Sequence, residues 1–203
     1  MNIEVFKLSL FLFPCVLLAA ASDDSITCYS VLKLLNARDG SRLHSHDVKY
    51  GSGSGQQSVT AVKNSDDINS HWQIFPGLQK TCNRGDPIKC GETIRLKHLT
   101  TGRFLHSHDF SAPLSKSHQE ISAFGSEEES DSGDEWLLMC NEDEWTEEEQ
   151  VKLKHVVTGA YLSLSGQQYG RPIHGQREVV GTSDVTAGSS WKAAEGIYIM
   201  NKE

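Results

Sequence analysis

Two histidine pairs are the first feature of this sequence that could do chemistry. Each pair is spaced as His-Ser-His and followed by aspartate; the two motifs consist of His44, His46, Asp47, His106, His108 and Asp109. Residues two apart on a strand project from the same face, so each pair would present two imidazoles beside a carboxylate. Such a set could bind a metal ion, and the intervening serine would formally complete a Ser-His-Asp triad. Hydrogen bonding of the histidines to turn backbone is the structural alternative.

A glycine-rich segment and its later counterpart form a second candidate surface. This candidate ligand or partner surface comprises Tyr50, Gly51, Gly53, Gly55, Gln56, Tyr169, Gly170, Arg171 and Pro172. Glycines permit close backbone approach, and an aromatic ring beside hydrogen-bond donors suits a sugar or a peptide. A nucleotide site is disfavoured, because the segment lacks the Gly-Lys-Ser/Thr ending of a phosphate loop. Turn chemistry alone is the competing explanation of the same residues.

An internal repeat supplies the elements that must position these residues. Residues 32–47 align without gaps with residues 94–109, and residues 151–166 form a third copy. Every copy has alternating apolar residues around a turn glycine, which predicts two strands, and downstream positions add a third strand and a tryptophan-bearing fourth. Three such units cannot each bury an apolar face alone, so closure around a pseudo-threefold axis is favoured. The sequence therefore predicts an all-β fold, a β-trefoil, with repeats at about 28–82, 90–140 and 151–198.

Comparison of the copies argues against catalysis. The third copy keeps the scaffold but carries Ser163 and Ser165 at the histidine positions. No nucleophile elbow surrounds the serines of the histidine motifs, and we expect no enzyme activity, metal or cofactor. Trp72, Trp136 and Trp191 occupy matching positions, and none has the Gln-x-Trp pattern of ricin-type lectins. These tryptophans are predicted to lie in the core, with each indole N–H hydrogen-bonded.

Four cysteines follow the same repeat. Cys28 and Cys90 are 62 residues apart, and Cys82 and Cys140 are 58 apart. Equivalent positions in successive copies predict the disulfides Cys28–Cys82 and Cys90–Cys140, one closing each of the first two repeats. A zinc site is the alternative, but the chain has no Cys-x-x-Cys pair.

The charge of the chain restricts the classes of partner that it can bind. The 203-residue chain carries 19 basic and 27 acidic residues, which argues against a nucleic-acid partner. Twelve acidic residues and no Lys or Arg lie between Glu127 and Glu149; they form either a solvated loop face or a surface for basic segments or calcium.

Lys7 followed by the apolar run 8–21 predicts a signal peptide at 1–21, leaving a domain at 22–203 without a membrane span. The C-terminal residues are not a retrieval signal, so we expect either retention in the lumen by a partner or secretion.

The motifs together resemble those of the stromal cell-derived factor 2 family. The resemblance rests on Leu-His-Ser-His-Asp at 43–47, the glycine-rich run at 50–59, Pro-Ile-Lys-Cys-Gly at 87–91 and Gln-Tyr-Gly-Arg-Pro-Ile at 168–173. That family consists of three MIR repeats, a module shared with protein O-mannosyltransferases and the inositol trisphosphate and ryanodine receptors. MIR repeats form a β-trefoil, in agreement with the fold predicted above.

The resemblance implies a non-catalytic role in endoplasmic reticulum quality control. Family members associate with a luminal J-domain co-chaperone and, through it, with the seventy-kilodalton heat-shock chaperone, and act on unfolded client proteins. Some members are linked to O-mannosylation, which would make a mannosyltransferase or a glycan a further partner. Many members end in an HDEL-like signal, which this sequence lacks. A carbohydrate-binding, lectin-like trefoil is the alternative hypothesis.

Overall fold

Twelve strands and two short 3-10 helices make up the fold. The computed structural model describes residues 24–200, so the predicted signal peptide at 1–21 lies outside the described residues. The first repeat contains β1 Val31–Asn36, β2 Arg42–Lys49, β3 Gln57–Val62 and β4 Trp72–Pro76. The second contains β5 Thr93–His98, β6 Phe104–Ser111, β7 Gln119–Phe124 and β8 Trp136–Met139. The third contains β9 Gln150–His155, β10 Tyr161–Gln168, β11 Arg177–Thr182 and β12 Trp191–Ile197.

Six of the strands close a barrel. Strands β1, β4, β5, β8, β9 and β12 pair antiparallel in that order, and β12 pairs back with β1. The remaining strands form three hairpins, β2–β3, β6–β7 and β10–β11. Within these hairpins, β3, β7 and β11 pair with one another around the pseudo-threefold axis and cap one end of the barrel. Both edges of each of the six barrel strands are therefore paired, and the predicted β-trefoil of three four-stranded repeats is confirmed.

The turn glycines fix where the first two strands of each repeat reverse. Gly40, Gly102 and Gly159 have φ of +71°, +70° and +72°, the left-handed conformation that costs glycine least. Residues alternate between buried and partly exposed along β5 and β9, as expected for strands with one face on a core. The barrel strands therefore direct Leu34, Leu96 and Leu153, each 0% exposed, into one interior.

Backbone hydrogen bonds close the opposite end of the barrel with the same symmetry. Ile26 N–H donates to the Trp145 carbonyl (2.7 Å), Ile88 N–H to the Ile26 carbonyl (2.9 Å) and Trp145 N–H to the Ile88 carbonyl (2.8 Å). All three side chains are buried. The sequence predicts a turn or single helical turn from Trp145 onward, and a turn does follow at residues 147–148. The place of Trp145 itself in the core was not predicted.

Three further tryptophans and two disulfides complete the core. Trp72, Trp136 and Trp191 are 0% exposed, and their indole N–H groups donate to the carbonyls of Leu43, Leu105 and Leu162 at 2.9–3.0 Å. The disulfides Cys28–Cys82 and Cys90–Cys140 are both present, which confirms the predicted pairing. Within residues 24–200 the helical segments are Ile68–Ser70 and Ser132–Asp134, and no helix there has the length and apolar character to cross a membrane.

Candidate functional site

The histidine motif of the first repeat bonds to side chains brought from elsewhere in the repeat. His44 is 3% exposed, and its Nδ1–H donates to Asp67 Oδ2 at 2.8 Å; Ser70 Oγ donates to the same oxygen. His46 is half-buried, and its Nε2 lies 3.0 Å from Ser58 Oγ. The two imidazole centroids are 5.0 Å apart, on one face as predicted. Asp47 is exposed, so it does not join the two imidazoles in the set that the sequence would allow for a metal ion.

The second repeat repeats this geometry with more carboxylates. His106 Nδ1–H donates to Asp134 Oδ1 at 2.9 Å, and Asp134 is fully buried. His108 Nε2 lies 3.1 Å from Oε1 of the fully buried Glu120. Asp109 is exposed, as Asp47 is. The buried acids that pair with the histidines therefore come from other segments, not from the adjacent motif position.

In the third repeat, hydroxyl groups replace the imidazole and the carboxylate of this hydrogen bond. Ser163 Oγ lies 2.9 Å from Thr186 Oγ1, which in turn lies 3.2 Å from Ser189 Oγ. These groups stand where imidazole and carboxylate meet in the other repeats. Since one buried position is served by three different hydrogen-bonding pairs, the position requires a bond from the β2, β6 or β10 strand to the loop before the tryptophan strand. This supports a structural role for the histidines.

Among the described residues, two side-chain groups have metal-ligand composition, and both are engaged in other bonds. The candidate ligand atoms of His106, Asp131 and Asp134 lie within 4.8 Å of one another. His106 Nδ1 already donates to Asp134, whose second oxygen accepts from the Asp131 backbone N–H at 3.1 Å. In the other group, Cys90 and Cys140 are joined as a disulfide beside Glu149. The expectation of no metal or cofactor stays a prediction.

The glycine-rich loop lies at the surface and covers a buried acid. Gly51, Gly53 and Gly55 are exposed. Ser54 N–H donates to Glu120 Oε2 at 3.4 Å, and Ser54 Oγ bonds to the other carboxylate oxygen. A Cβ at Gly53 would lie 2.1 Å from Glu120 Oε2, and its φ is +69°. Glycine is therefore needed where the loop backbone approaches the acid.

A second loop covers a second buried acid. Glu178 is fully buried and accepts N–H bonds from Leu114 (2.6 Å) and Ser115 (3.1 Å), together with the Ser115 hydroxyl at 2.6 Å. Ser58 occupies the equivalent strand position in the first repeat. Two of the three hairpin loops are thus hydrogen-bonded to a buried carboxylate of the next repeat.

The prediction that Tyr50 faces a ligand is wrong. Tyr50 is 7% exposed, and its hydroxyl lies 2.9 Å from both the Val59 and Ile121 carbonyl oxygens. Burial raises the pKa of this phenol well above its ordinary value. The hydroxyl thereby links the first repeat to the second, and the second repeat has the smaller, buried Ala112 at the position equivalent to Tyr50.

The counterpart loop is more open. Tyr169 is half-buried, and burial raises the pKa of its hydroxyl. Gly170, Arg171 and Pro172 are exposed, and the Arg171–Pro172 peptide is cis. Gln56, in the glycine-rich loop, is half-buried and accepts a hydrogen bond from Ser122 Oγ at 2.6 Å. The accessible part of the candidate surface is therefore the two loop backbones, Arg171 and part of Tyr169, without the buried ring of Tyr50.

The acidic segment divides between surface and interior. Glu127, Glu128 and Glu129 are exposed in the loop after β7, and Lys97 pairs with Glu127. Asp134 belongs to the same run but is buried against His106. Most of this segment is therefore a solvated loop face. Asp134 is the exception, and only alignment of the repeats would have identified it as a buried residue.

Comparisons with known proteins agree on the family. The MIR domain model matches residues 33–180. The chain is 54% identical to stromal cell-derived factor 2 of Mus musculus over 178 residues, 88% of this chain and 84% of that protein. It is 53% identical to stromal cell-derived factor 2 of Homo sapiens over 184 residues, 91% of this chain and 87% of that protein.

Solved structures share the fold over most of the chain. A Caenorhabditis elegans protein of unknown function is 77% identical with a TM-score of 0.85, covering 87% of this chain and 99% of its own. The SDF2-like protein of Arabidopsis thaliana is 42% identical, also with a TM-score of 0.85, covering 88% and 99%. The Saccharomyces cerevisiae protein O-mannosyltransferase Pmt1-Pmt2 complex contains a similar fold at 23% identity and TM-score 0.77, covering 90% of this chain and 27% of that one.

Proposed function

Because this chain belongs to the stromal cell-derived factor 2 family and contains its MIR domain, we propose that it is a non-catalytic binding module of endoplasmic reticulum quality control. In this proposal the protein acts with a luminal J-domain co-chaperone, and through it with the luminal heat-shock chaperone, on unfolded secretory proteins. It is held in the lumen by these partners; secretion is the alternative outcome. A link to O-mannosylation, through a mannosyltransferase partner, is part of the same proposal.

The observation that carries the proposal is the family match, which extends over 84% of the mouse protein at 54% identity. The site geometry is consistent with binding and gives catalysis no support. His44, His106 and the acids Asp67 and Asp134 hold one another in buried or half-buried hydrogen bonds, so they are occupied in the fold. Reactive groups in enzymes instead need access to substrate.

The exposed loops of the hairpin cap are the proposed contact surface. The backbone of residues 51–55 and the loop at 170–172 lie at the surface, and Arg171 is the exposed cation among them. Exposed loops on a rigid scaffold are common sites of recognition, because the scaffold bears the cost of ordering them. Tyr50 has no part in this surface, since it is buried.

Crosslinking of the full-length protein in the lumen, followed by identification of bound proteins, tests the proposal. We expect recovery of a J-domain co-chaperone and unfolded secretory chains. Arg171→Ala should lower this recovery, while Arg84→Ala, at an exposed arginine in the loop after Cys82, should leave it unchanged. Recovery of neither a J-domain protein nor client chains would contradict the proposed function.

Carbohydrate binding is a second candidate, favoured by one exposed aromatic side chain. Phe110 is 48% exposed beside His108, with their rings 4.8 Å apart. An exposed ring next to polar groups can stack on the apolar face of a sugar. Titration with mannosides should then shift the Phe110 ring signals in the wild type, with no binding by Phe110→Ala; unchanged spectra would exclude this candidate.

A further inference from the structure

The three junctions between neighbouring repeats are built to one plan. The first residue of β3, β7 or β11 reaches the turn between the first two strands of the next repeat. Gln57 Nε2–H donates to Thr101 Oγ1 at 2.9 Å, and Thr158 Oγ1 donates to Gln119 Oε1 at 2.8 Å. The third junction, between the last repeat and the first, replaces this neutral bond with an ion pair.

Charge is concentrated at the third junction. Arg177 Nε lies 3.1 Å from Asp39 Oδ2. Arg38 occupies the turn position held by Thr100 and Val157 in the other repeats. Gly166 occupies the position held by two aspartates, Asp47 and Asp109. Relative to its two counterparts, this junction therefore gains two guanidinium groups and the Asp39 carboxylate and lacks the carboxylate at position 166, in a chain whose net charge is −8.

These residues line a cleft. Arg38, Asp39, Leu164, Gly166 and Arg177 surround about 170 Å³. Gly166 has φ +89°, and a Cβ placed on it would meet nothing within 4 Å, so this wall is open. Arg38 is exposed, and its guanidinium makes no hydrogen bond or ion pair within residues 24–200. The cleft thus has a free planar donor at its edge.

Asp39 neutralises only one of the two guanidinium charges of the cleft. Its Oδ1 accepts from Ser41 N–H at 3.0 Å and from Ser41 Oγ at 2.5 Å. Burial alone would raise the pKa of Asp39, but the Ser41 bonds, with Arg177 and Lys63, hold it below its ordinary value. Asp39 therefore stays ionised and bonded, and one negative charge stands against Arg38 and Arg177.

We propose that this cleft between Arg38 and Arg177 binds an oxyanion, a carboxylate or phosphate group of a ligand. Guanidinium groups match the geometry of both anions and can donate two parallel N–H bonds to either. The volume suits one such group and is smaller than the pocket a drug-sized molecule occupies. The inference rests on the junction geometry and is independent of the proposed chaperone role.

Titration followed by amide NMR shifts tests the site. The full-length protein is titrated at constant ionic strength with N-acetylaspartate, with phosphoserine or with neutral N-acetylserine amide. We expect saturable shifts of the Arg38, Gly166 and Arg177 amides with the anions alone, and their relative affinities identify which oxyanion is preferred. The change Arg38→Thr, which copies Thr100, should weaken binding about fivefold.

Two further variants keep the test decisive. Arg38→Gln removes the charge with less loss of length and should weaken binding similarly, while Arg84→Thr should have no effect. Unfolding temperatures of all variants are compared to show that each is folded. Equal shifts with the neutral compound, or unchanged affinity in both folded Arg38 variants, would overturn the proposal.

Discussion

Acidification should destabilise this protein through one buried imidazole, that of His98. The side chain is 0% exposed and packs on Trp72 with ring centroids 4.9 Å apart. Its Nε2–H donates to the Asn69 carbonyl at 2.8 Å, and its Nδ1 lies 2.9 Å from Thr101 Oγ1. Because Gln57 already donates to Thr101 Oγ1, the threonine hydroxyl is directed at Nδ1, which must then be unprotonated.

The magnitude follows from the shift in pKa. Burial, with the nearby imidazoles of His44 and His46, lowers the pKa of His98 from 6.5 to about 4, although the Asn69 carbonyl and Asp67 oppose this change. The unfolded chain therefore binds a proton at higher pH than the folded one. The contribution of neutral His98 to the free energy of unfolding is present in full above about pH 6.5 and is lost as the pH falls toward 4. This loss is about 3 kcal/mol in total and about 2.5 kcal/mol at about pH 4.5.

Urea denaturation at about pH 7.5 and about pH 4.5 measures this difference. The matched variant is His98→Asn, because Asn36 holds the equivalent position in the first repeat and donates to the Gly188 carbonyl there. We expect the variant to lose about 2.5 kcal/mol less than the wild type on acidification. Part of the acid sensitivity should remain, because burial also lowers the pKa of His155.

His174→Asn is the control, since His174 is exposed in the loop before β11. It should lose the same stability on acidification as the wild type. If His98→Asn also loses as much as the wild type, the assignment of a neutral, buried His98 is wrong. A lower stability of the variant at neutral pH alone would not decide the question, because only the difference between the two pH values reports the proton.

Three further predictions concern the hairpin cap. Glu178→Ala should cost about 3 kcal/mol, because buried N–H donors lose their acceptor, and hydrogen exchange at Leu114 should accelerate; unchanged protection there would contradict the geometry. Tyr50→Phe should cost about 1–3 kcal/mol in urea denaturation by leaving backbone groups unpaired, without changing partner recovery in the lumen; an unaltered midpoint would refute the inward position of the hydroxyl. Gly53→Ala should lower the thermal midpoint, because a left-handed residue costs about 1–2 kcal/mol and the new Cβ displaces Glu120; a midpoint equal to the wild type would show that the loop does not rest on that acid.

The fold could be predicted because its determinants are periodic. Alternating apolar residues, the turn glycines and the tryptophan spacing recur along the chain, and each recurrence constrains the same backbone. Trp145 was missed because it stands between repeats, where no alternation leads to it. Ile26 and Ile88 are 62 residues apart, and Ile88 and Trp145 are 57 apart. These are the same offsets that relate the three repeats, so they would have identified Trp145 as the equivalent position.

The partners of the histidines could not be predicted in the same way. Asp67 and Asp134 come from loops that differ between repeats, and the adjacent Asp47 was the more obvious candidate in sequence. A strand places consecutive residues on opposite faces, so Asp47 cannot share the buried face of His46. The inward position of Tyr50 depends on carbonyl groups of two different repeats, those of Val59 and Ile121, which the strand pattern alone does not specify.

Pseudo-threefold symmetry provides an internal comparison that separates structural positions from candidate binding positions. At a structural position the residues differ while the bond survives, as when Asn36, His98 and His155 each donate to the backbone of the segment preceding a tryptophan strand. At the third junction the bond survives between Arg177 and Asp39, but Arg38 adds a charge that no described residue of the chain satisfies. Because the guanidinium of Arg38 makes no bond within the described fold, it is free to donate hydrogen bonds to a ligand. Exchanging Arg38 for the residue of its own counterpart, Thr100, therefore tests binding while the scaffold keeps a side chain it already accommodates.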